Sequence, residues 1–149
     1  MLPTEIAPDF ELPDQFGNPC RLSELLEHGP VALFFYPAAS SGGCTREMCA
    51  VRDASDDFRA VGAQRVGISR DTVAAQLRFA QRQGFDFPLL SDADGAVCAA
   101  YGVARSMTAA PVKRQTVVIG ADGRILDVVK SEFRFGRHAV QALGALQTG

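Results

Sequence analysis

The stretch that decides the architecture is Val31-Ala32-Leu33-Phe34-Phe35-Tyr36-Pro37-Ala38-Ala39-Ser40-Ser41-Gly42-Gly43-Cys44-Thr45-Arg46-Glu47-Met48-Cys49. Val31 to Tyr36 is a continuous apolar run of strand length, the pattern of a strand buried on both faces of a sheet. Pro37 closes it, a loop of small residues follows, and a helical pattern then begins. In that pattern Cys44, Met48, Val51, Ser55, Phe58 and Gly62 share one stripe. A buried strand therefore feeds through a glycine-bearing loop into a helix opened by a cysteine.

Upstream, Asp14-Gln15-Phe16-Gly17-Asn18 reads as the loop of a hairpin between two short strands. Ser23 is placed to cap a helix from Glu24 to His28, ended by Gly29-Pro30. Downstream, Ala63 to Ser69 reads as a second strand. A helix follows from Thr72 to Gln83, with Val73, Leu77 and Ala80 inward and Gly84 as its breaker. Phe87 to Leu90 is extended, and Ser91-Asp92-Ala93-Asp94 resembles a capping start for a helix through Tyr101. Gln115 to Ile119 and Arg124 to Val129 are two strands joined at Ala121-Asp122-Gly123. A last helix runs from Arg137 to Leu146 with Val140, Leu143 and Leu146 inward. Strands alternating with helices and ending in a hairpin predict an α/β domain with a mixed central sheet, flanking helices and an N-terminal β-hairpin extension. A thioredoxin-like arrangement fits that order.

The chain has 149 residues, the size of one domain with a real core. Fifteen Lys and Arg against seventeen Asp and Glu leave a net charge of -2, which argues against a nucleic-acid or acidic-membrane partner. No apolar run approaches the roughly 18 residues of a membrane span. The first residues, MLPTEIAPDFELPD, carry neither a basic nor an apolar leader segment, which predicts a cytoplasmic location. Four cysteines are too few for a disulfide-stapled scaffold. Their thiols are expected to be reduced unless chemistry oxidises them.

Four features bear on Cys44. Unpaired backbone N–H groups and the dipole at a helix start favour an anionic sulfur. Small residues let backbone donors approach whatever the sulfur carries. The Ser41 hydroxyl, three residues earlier, is in place to donate to a thiolate or a bound oxygen. The thiolate is the reactive form of cysteine, so Cys44 is expected to be nucleophilic. A free cysteine alone reads equally well as a small buried hydrophobe; the glycine loop, Ser41 and a second cysteine favour the reactive reading. Cys49 raises a geometric question. Cα atoms five residues apart on a helix stand about 8–9 Å apart, with side chains about 140° apart around the axis, whereas a disulfide needs a separation below about 7 Å. The two sulfurs cannot bond while the helix is intact. A bond between them requires its first turns to unwind; otherwise Cys49 is an inert helix residue. Zinc sites use closer cysteine spacing and further Cys or His ligands.

The phrase FFYPAASSGGCTREMC is similar to the peroxiredoxin pattern P-x-x-x-[T/S]-x-x-C, met by Pro37, Ser41 and Cys44. The Cys-x-x-x-x-Cys pair, with ISRDTVAAQLRFA and FPLLSD, resembles the Q-type subfamily (bacterioferritin comigratory protein). APDFELPDQFGNPCRLSEL resembles the family's opening hairpin, and the likeness runs from Ile6 to Leu146. It implies a peroxidase acting on hydrogen peroxide and organic hydroperoxides, with Cys44 peroxidatic and Cys49 resolving through an intramolecular disulfide. Arg114 in KRQTVVIG fits the place of the family's pocket arginine. Pro37 would shield the thiolate, Ser41 would hydrogen-bond both sulfur and peroxide, and Glu47 stands where Q-type members carry a glutamate near the sulfur. Thioredoxin is the implied reductant, a glutaredoxin-like partner being equally compatible. No organic cofactor or metal is implied, and a monomer is expected, dimers occurring among relatives. Ser41 replaces the commoner threonine and Gly42 the commoner proline, which predicts a looser loop.

Two other readings use the same cysteines. A general thiol–disulfide oxidoreductase would normally carry Cys-x-x-Cys, whose sulfurs bond without helix unwinding. A copper-binding module would use Cys44, Cys49 and one histidine, thiolates selecting Cu(I). Cys20 and Cys98 read as structural, Cys98 being the reserve resolving thiol. His28 and His138 read as surface or helix-end residues. Phe34, Phe35, Phe58, Phe79, Phe85 and Phe87 read as core, and Phe133 and Phe135 as bordering the pocket or an interface.

Overall fold

In the computed structural model, which describes residues 4–39, 41–104, 112–130 and 137–148, the first elements are β1 (Glu11–Pro13) and β2 (Pro19–Arg21), an antiparallel hairpin. The Asp14 carboxylate closes its tip, accepting the N–H groups of Phe16 and Asn18 at 2.9 and 3.0 Å. Helix α1 (Leu22–Leu26) follows directly, earlier than the sequence predicts. Ser23 is not its cap. It lies in the first turn, and its N–H is accepted by the Asp9 carboxylate at 2.9 Å. The capping acid comes from far upstream, where local spacing does not reveal it.

The apolar run becomes β3 (Val31–Phe35), every residue of it buried. After it come α2 (Gly42–Asp53), α3 (Ser55–Ala60), β4 (Gln64–Ser69), α4 (Val73–Gln83), β5 (Leu89–Ser91), α5 (Ala96–Ala100), β6 (Gln115–Ile119), β7 (Ile125–Lys130) and α6 (Arg137–Thr148). The five-stranded sheet has the order β5-β4-β3-β6-β7. Strand β3 is parallel to β4 and antiparallel to β6; β4 is parallel to β5, and β6 antiparallel to β7. The mixed sheet predicted from the alternation is what forms.

Alternation along β3 divides the core in two. Val31, Leu33 and Phe35 join Phe10, Leu22, Ile68, Cys98, Tyr101 and Val117 on one face. Ala32, Phe34 and Tyr36 join Cys44, Met48, Val51, Phe58, Phe79 and Ala142 on the other. The sheet is thus buried on both sides, which is why its central strand has no polar alternation. The N-terminal hairpin, α1 and α5 supply the first cluster; α2, α3, α4 and α6 supply the second.

Helix boundaries and faces differ from expectation in four further places. The single stripe from Cys44 to Gly62 is two helices that break at Ala54. Helix α4 turns Gln76, Phe79 and Ala80 inward, while Val73 and Leu77 are only partly buried. Gln76 tolerates burial because its amide donates to Ser69 Oγ at 3.0 Å and Leu90 O at 2.8 Å and accepts the Tyr36 hydroxyl. Helix α5 starts only after Gly95, whose φ of +76° suits glycine. The Asp92 carboxylate takes the N–H groups of Val97 and Cys98 at 3.3 and 2.8 Å. Finally, α6 buries His138, Ala139 and Ala142 and leaves Val140 70% exposed. Leu143 and Leu146 are partly buried, as expected.

Candidate active site

Tyr36, the residue after β3, is fully buried, and the loop beyond it is anchored to the end of β4. Asp71 Oδ2 accepts the Ala39 N–H at 2.8 Å and the Ser69 hydroxyl at 2.6 Å. Burial above all, with the charges of Asp71 and Cys44 adding to it, pushes the Tyr36 phenol far above its ordinary range, so it is neutral. Ser41 has extended backbone and caps α2, its Oγ accepting the Cys44 N–H at 3.3 Å. The same hydroxyl donates to Ala38 O at 3.1 Å. In this arrangement the Ser41 hydroxyl donates to a backbone carbonyl rather than to the sulfur.

Cys44 is the third residue of α2 and has no exposed surface. Glu47 lies one turn further along the same helix face and is equally buried. Between them reaches Arg114, one residue before β6 and 6% exposed. Its NH1 donates to Glu47 Oε1 at 2.7 Å, and its NH2 contacts Cys44 Sγ at 3.3 Å. Two arms of one planar guanidinium thus hold a carboxylate and a sulfur at once. Burial works against the arginine's charge, but Glu47 and then Cys44 outweigh it, and its pKa is raised. The sulfur therefore lies beside a permanent positive charge, at the positive end of α2.

The sequence reading missed His138. It does lie at a helix end, as expected, but not on the surface: it is fully buried, with Nδ1 2.7 Å from Thr116 Oγ1 and 3.6 Å from Glu47 Oε2. The available signal is Thr116 itself, a hydroxyl within the apolar run TVVI that needs a polar partner on the inner face of β6. Tyr36, Gln76 and Asp71 also escape a reading by motif, since their contacts join β3, β4 and α4 across long sequence separations.

All four cysteines are free thiols. Cys49 lies in α2 with Cys44, part-buried, its thiol 3.5 Å from Gln83 Oε1 near the end of α4. The intact helix does not bring the two sulfurs together. Cys98 belongs to the core on the opposite face of the sheet, and burial with the neighbouring Asp92 raises its pKa far above the ordinary thiol range. Cys20, in β2, is pushed up to about 11, by burial first and then by Asp14 and Glu24. Pro37 is half-buried at the start of the loop, Lys113 is exposed, and His28 is exposed after α1. Among the described residues no three His, Cys, Asp or Glu side chains cluster as a metal site. Phe133 and Phe135 lie outside the described residues. Nor is any helix among the described residues long and apolar enough to cross a membrane.

The model of the AhpC/TSA family matches residues 3–128. A Mycobacterium tuberculosis protein assigned to the peroxiredoxins is 55% identical over 141 residues, covering 93% of this chain and 92% of its own. Chloroplastic peroxiredoxin Q of Sedum lineare is 36% identical over 141 residues, covering 95% of this chain and 75% of its own. Among solved structures, peroxidoxin BcpB from Mycobacterium tuberculosis superposes with a TM-score of 0.95 at 52% identity, over 99% of this chain and 97% of its own. The bacterioferritin comigratory protein of Xanthomonas campestris, studied for alkyl peroxide reduction, gives 0.85 at 28% identity, over 93% and 90% of the two chains. With a family match spanning most of the sequence and Q-type relatives among both proteins and structures, the chain belongs to the AhpC/TSA family as a peroxiredoxin of the Q type, a thiol peroxidase and hence an oxidoreductase.

Proposed function

We propose that this chain reduces hydrogen peroxide and organic hydroperoxides at Cys44 and resolves the product through Cys49. The observation that carries this reading is the Arg114 fork, which joins Cys44 Sγ at 3.3 Å to Glu47 at 2.7 Å inside the core. The Cys44 thiolate attacks the terminal oxygen of ROOH in line with the O–O bond. A sulfur–oxygen bond forms, the O–O bond breaks, and the leaving oxygen departs as RO⁻, taking a proton to become ROH. Charge developing on that oxygen is answered by Arg114 and by the N-terminal N–H groups of α2, donors placed before the reaction begins. Ser41 contributes its hydroxyl by rotating from Ala38 toward the peroxide, and Pro37 shields the sulfur from water.

The product is a sulfenic acid on Cys44. Cys49 condenses with it, forming the disulfide and releasing water, and α2 unwinds locally to allow this. A thioredoxin, or a glutaredoxin-like dithiol, then reduces the disulfide by thiol exchange, its own thiols becoming the new disulfide. The chain acts as a monomer in this cycle, without metal or organic cofactor.

Peroxide consumption coupled to a thioredoxin system is expected to stop in Cys44→Ser. Peptide mass mapping after one equivalent of peroxide is expected to show Cys44 joined to Cys49 with loss of two hydrogens. Turnover persisting in Cys44→Ser would remove the reading, and a stable sulfenic acid in the wild type would remove Cys49 from it.

A further inference from the structure

Behind the Glu47–Arg114 pair lies an imidazole that the chemistry above does not use. His138 lies in the first turn of α6 with no exposed surface, its Nδ1 2.7 Å from Thr116 Oγ1 on β6 and 3.6 Å from Glu47 Oε2 on α2. The other oxygen of Glu47 holds Arg114 at 2.7 Å, and Arg114 reaches the Cys44 sulfur at 3.3 Å. A buried line of side chains therefore runs from imidazole to carboxylate to guanidinium to sulfur.

We propose that His138 is a positioning residue of the peroxidase site. It stands at ion-pair range of Glu47 Oε2 while its Nδ1 is fixed by Thr116, on the side of the carboxylate away from the Oε1 that binds Arg114, and its protonation state sets how strongly Glu47 claims the guanidinium. The proposal rests on Cys44 being the peroxide-reactive thiol. When the imidazole is neutral, it adds no charge to the Glu47–Arg114 pair. When it is protonated, a second cation stands at ion-pair range of the carboxylate, and more of the guanidinium's field is left for the sulfur. Low polarity around these groups keeps such shifts from being screened. Of the four side chains in this line the imidazole is the one that can exist either neutral or as a cation while still fitting its place, so it is the member able to switch.

Among the described residues, these charged groups stand on the elements packed against α6. From α2 come Glu47 and Cys44, and before β6 comes Arg114. From β7 comes Asp127, opposite Val118, its Oδ1 accepting the Val128 N–H at 2.8 Å. Lys130 at the end of β7 is exposed, as is Arg137 beside His138 on α6.

The test compares His138→Leu, His138→Asn and Cys44→Ser with the wild type, using pre-reduced protein. The second-order rate with hydrogen peroxide and the rate of Cys44 alkylation are measured from about pH 5 to 9, with thermal unfolding followed in parallel. His138→Leu is expected to lose about tenfold in peroxide rate at pH 7, as misplaced reacting groups do. His138→Asn, whose amide N–H can stand where Nδ1 stands, is expected to keep most of that rate. Both are expected to lose an inflection that the wild type shows within the range measured, and that Cys44 alkylation shares. If His138→Leu fails to fold, His138→Asn decides. An unchanged rate and pH profile in the folded variants, with Cys44→Ser inactive, would overturn this proposal alone. A Cys44→Ser protein that still consumes peroxide would instead remove the reading beneath it.

Discussion

At the scale of single residues, the site depends on a shape that only arginine provides. Arg114 contacts Glu47 Oε1 at 2.7 Å and Cys44 Sγ at 3.3 Å through different nitrogens of one plane. A lysine has one point of charge and cannot serve both places. Arg114→Lys is therefore expected to fold but to lose about 10²-fold in the peroxide rate, the scale of removing one preplaced donor. A loss below about threefold would show that charge alone suffices. Arg114→Leu is a poorer probe, because it also breaks a buried ion pair with Glu47, a change that costs about 3–5 kcal/mol. Cys20 makes a separate prediction. Its folded pKa is pushed up to about 11 from 9.0, so the folded state keeps the thiol proton over a range in which the unfolded chain releases it. Stability from this group is full below about pH 9 and is lost as pH rises toward 11. Cys20→Ala is expected to flatten the alkaline fall of the unfolding midpoint in that window, and an unchanged slope would refute the assignment.

At the scale of elements, α2 seats the thiol by its fit against β4. Gly67 leaves the space this requires: a Cβ there would lie 2.7 Å from Leu89 Cδ2, 2.9 Å from Met48 Cε and 3.1 Å from Tyr36 Cε1. Met48 is one turn from Cys44, so a methyl at position 67 presses on the helix that carries the sulfur. Gly67→Ala is expected to cost about 1–3 kcal/mol, lowering the melting temperature by several degrees at roughly 2–4 °C per kcal/mol, and to slow the peroxide reaction. A variant as stable and fast as the wild type would show that α2 has slack there. The same elements show what local sequence reveals. The hairpin at Asp14–Asn18, the strands and the cysteine-led helix were legible because apolar runs, turn residues and caps act over a few positions. The inner faces of α4 and α6 were not, because each turns a polar residue inward. Gln76 is satisfied by β3, β4 and β5, and His138 meets Thr116 on β6. A hydrophobic stripe assigns such residues to solvent, since their partners are distant in sequence.

At the scale of the whole molecule, the sheet separates the two cores, and this determines which thiol can meet Cys44. Cys44 packs with Phe34, Met48 and Phe58 on one face, while Cys98 packs with Phe35 and Tyr101 on the other. A Cys44–Cys98 bond would have to pass β3, which is hydrogen-bonded on both sides to β4 and β6. Cys49 lies on the same helix as Cys44, and the intact helix keeps the sulfurs apart, one against Arg114 and the other against Gln83. Oxidation by that route must release Met48 and Val51 from the α2 side of the sheet while Leu33, Phe35 and Val117 remain packed on the far side. Hydrogen exchange should register the asymmetry: on adding one equivalent of peroxide, the amides of residues 44–51 are expected to exchange at least about tenfold faster. Those of β3 and β6 are expected to hold their protection, because their hydrogen bonds join strands rather than the helix that unwinds. Equal protection of α2 in both redox states, or loss of protection spread over both faces, would show that the disulfide is reached by some other motion than local fraying of α2.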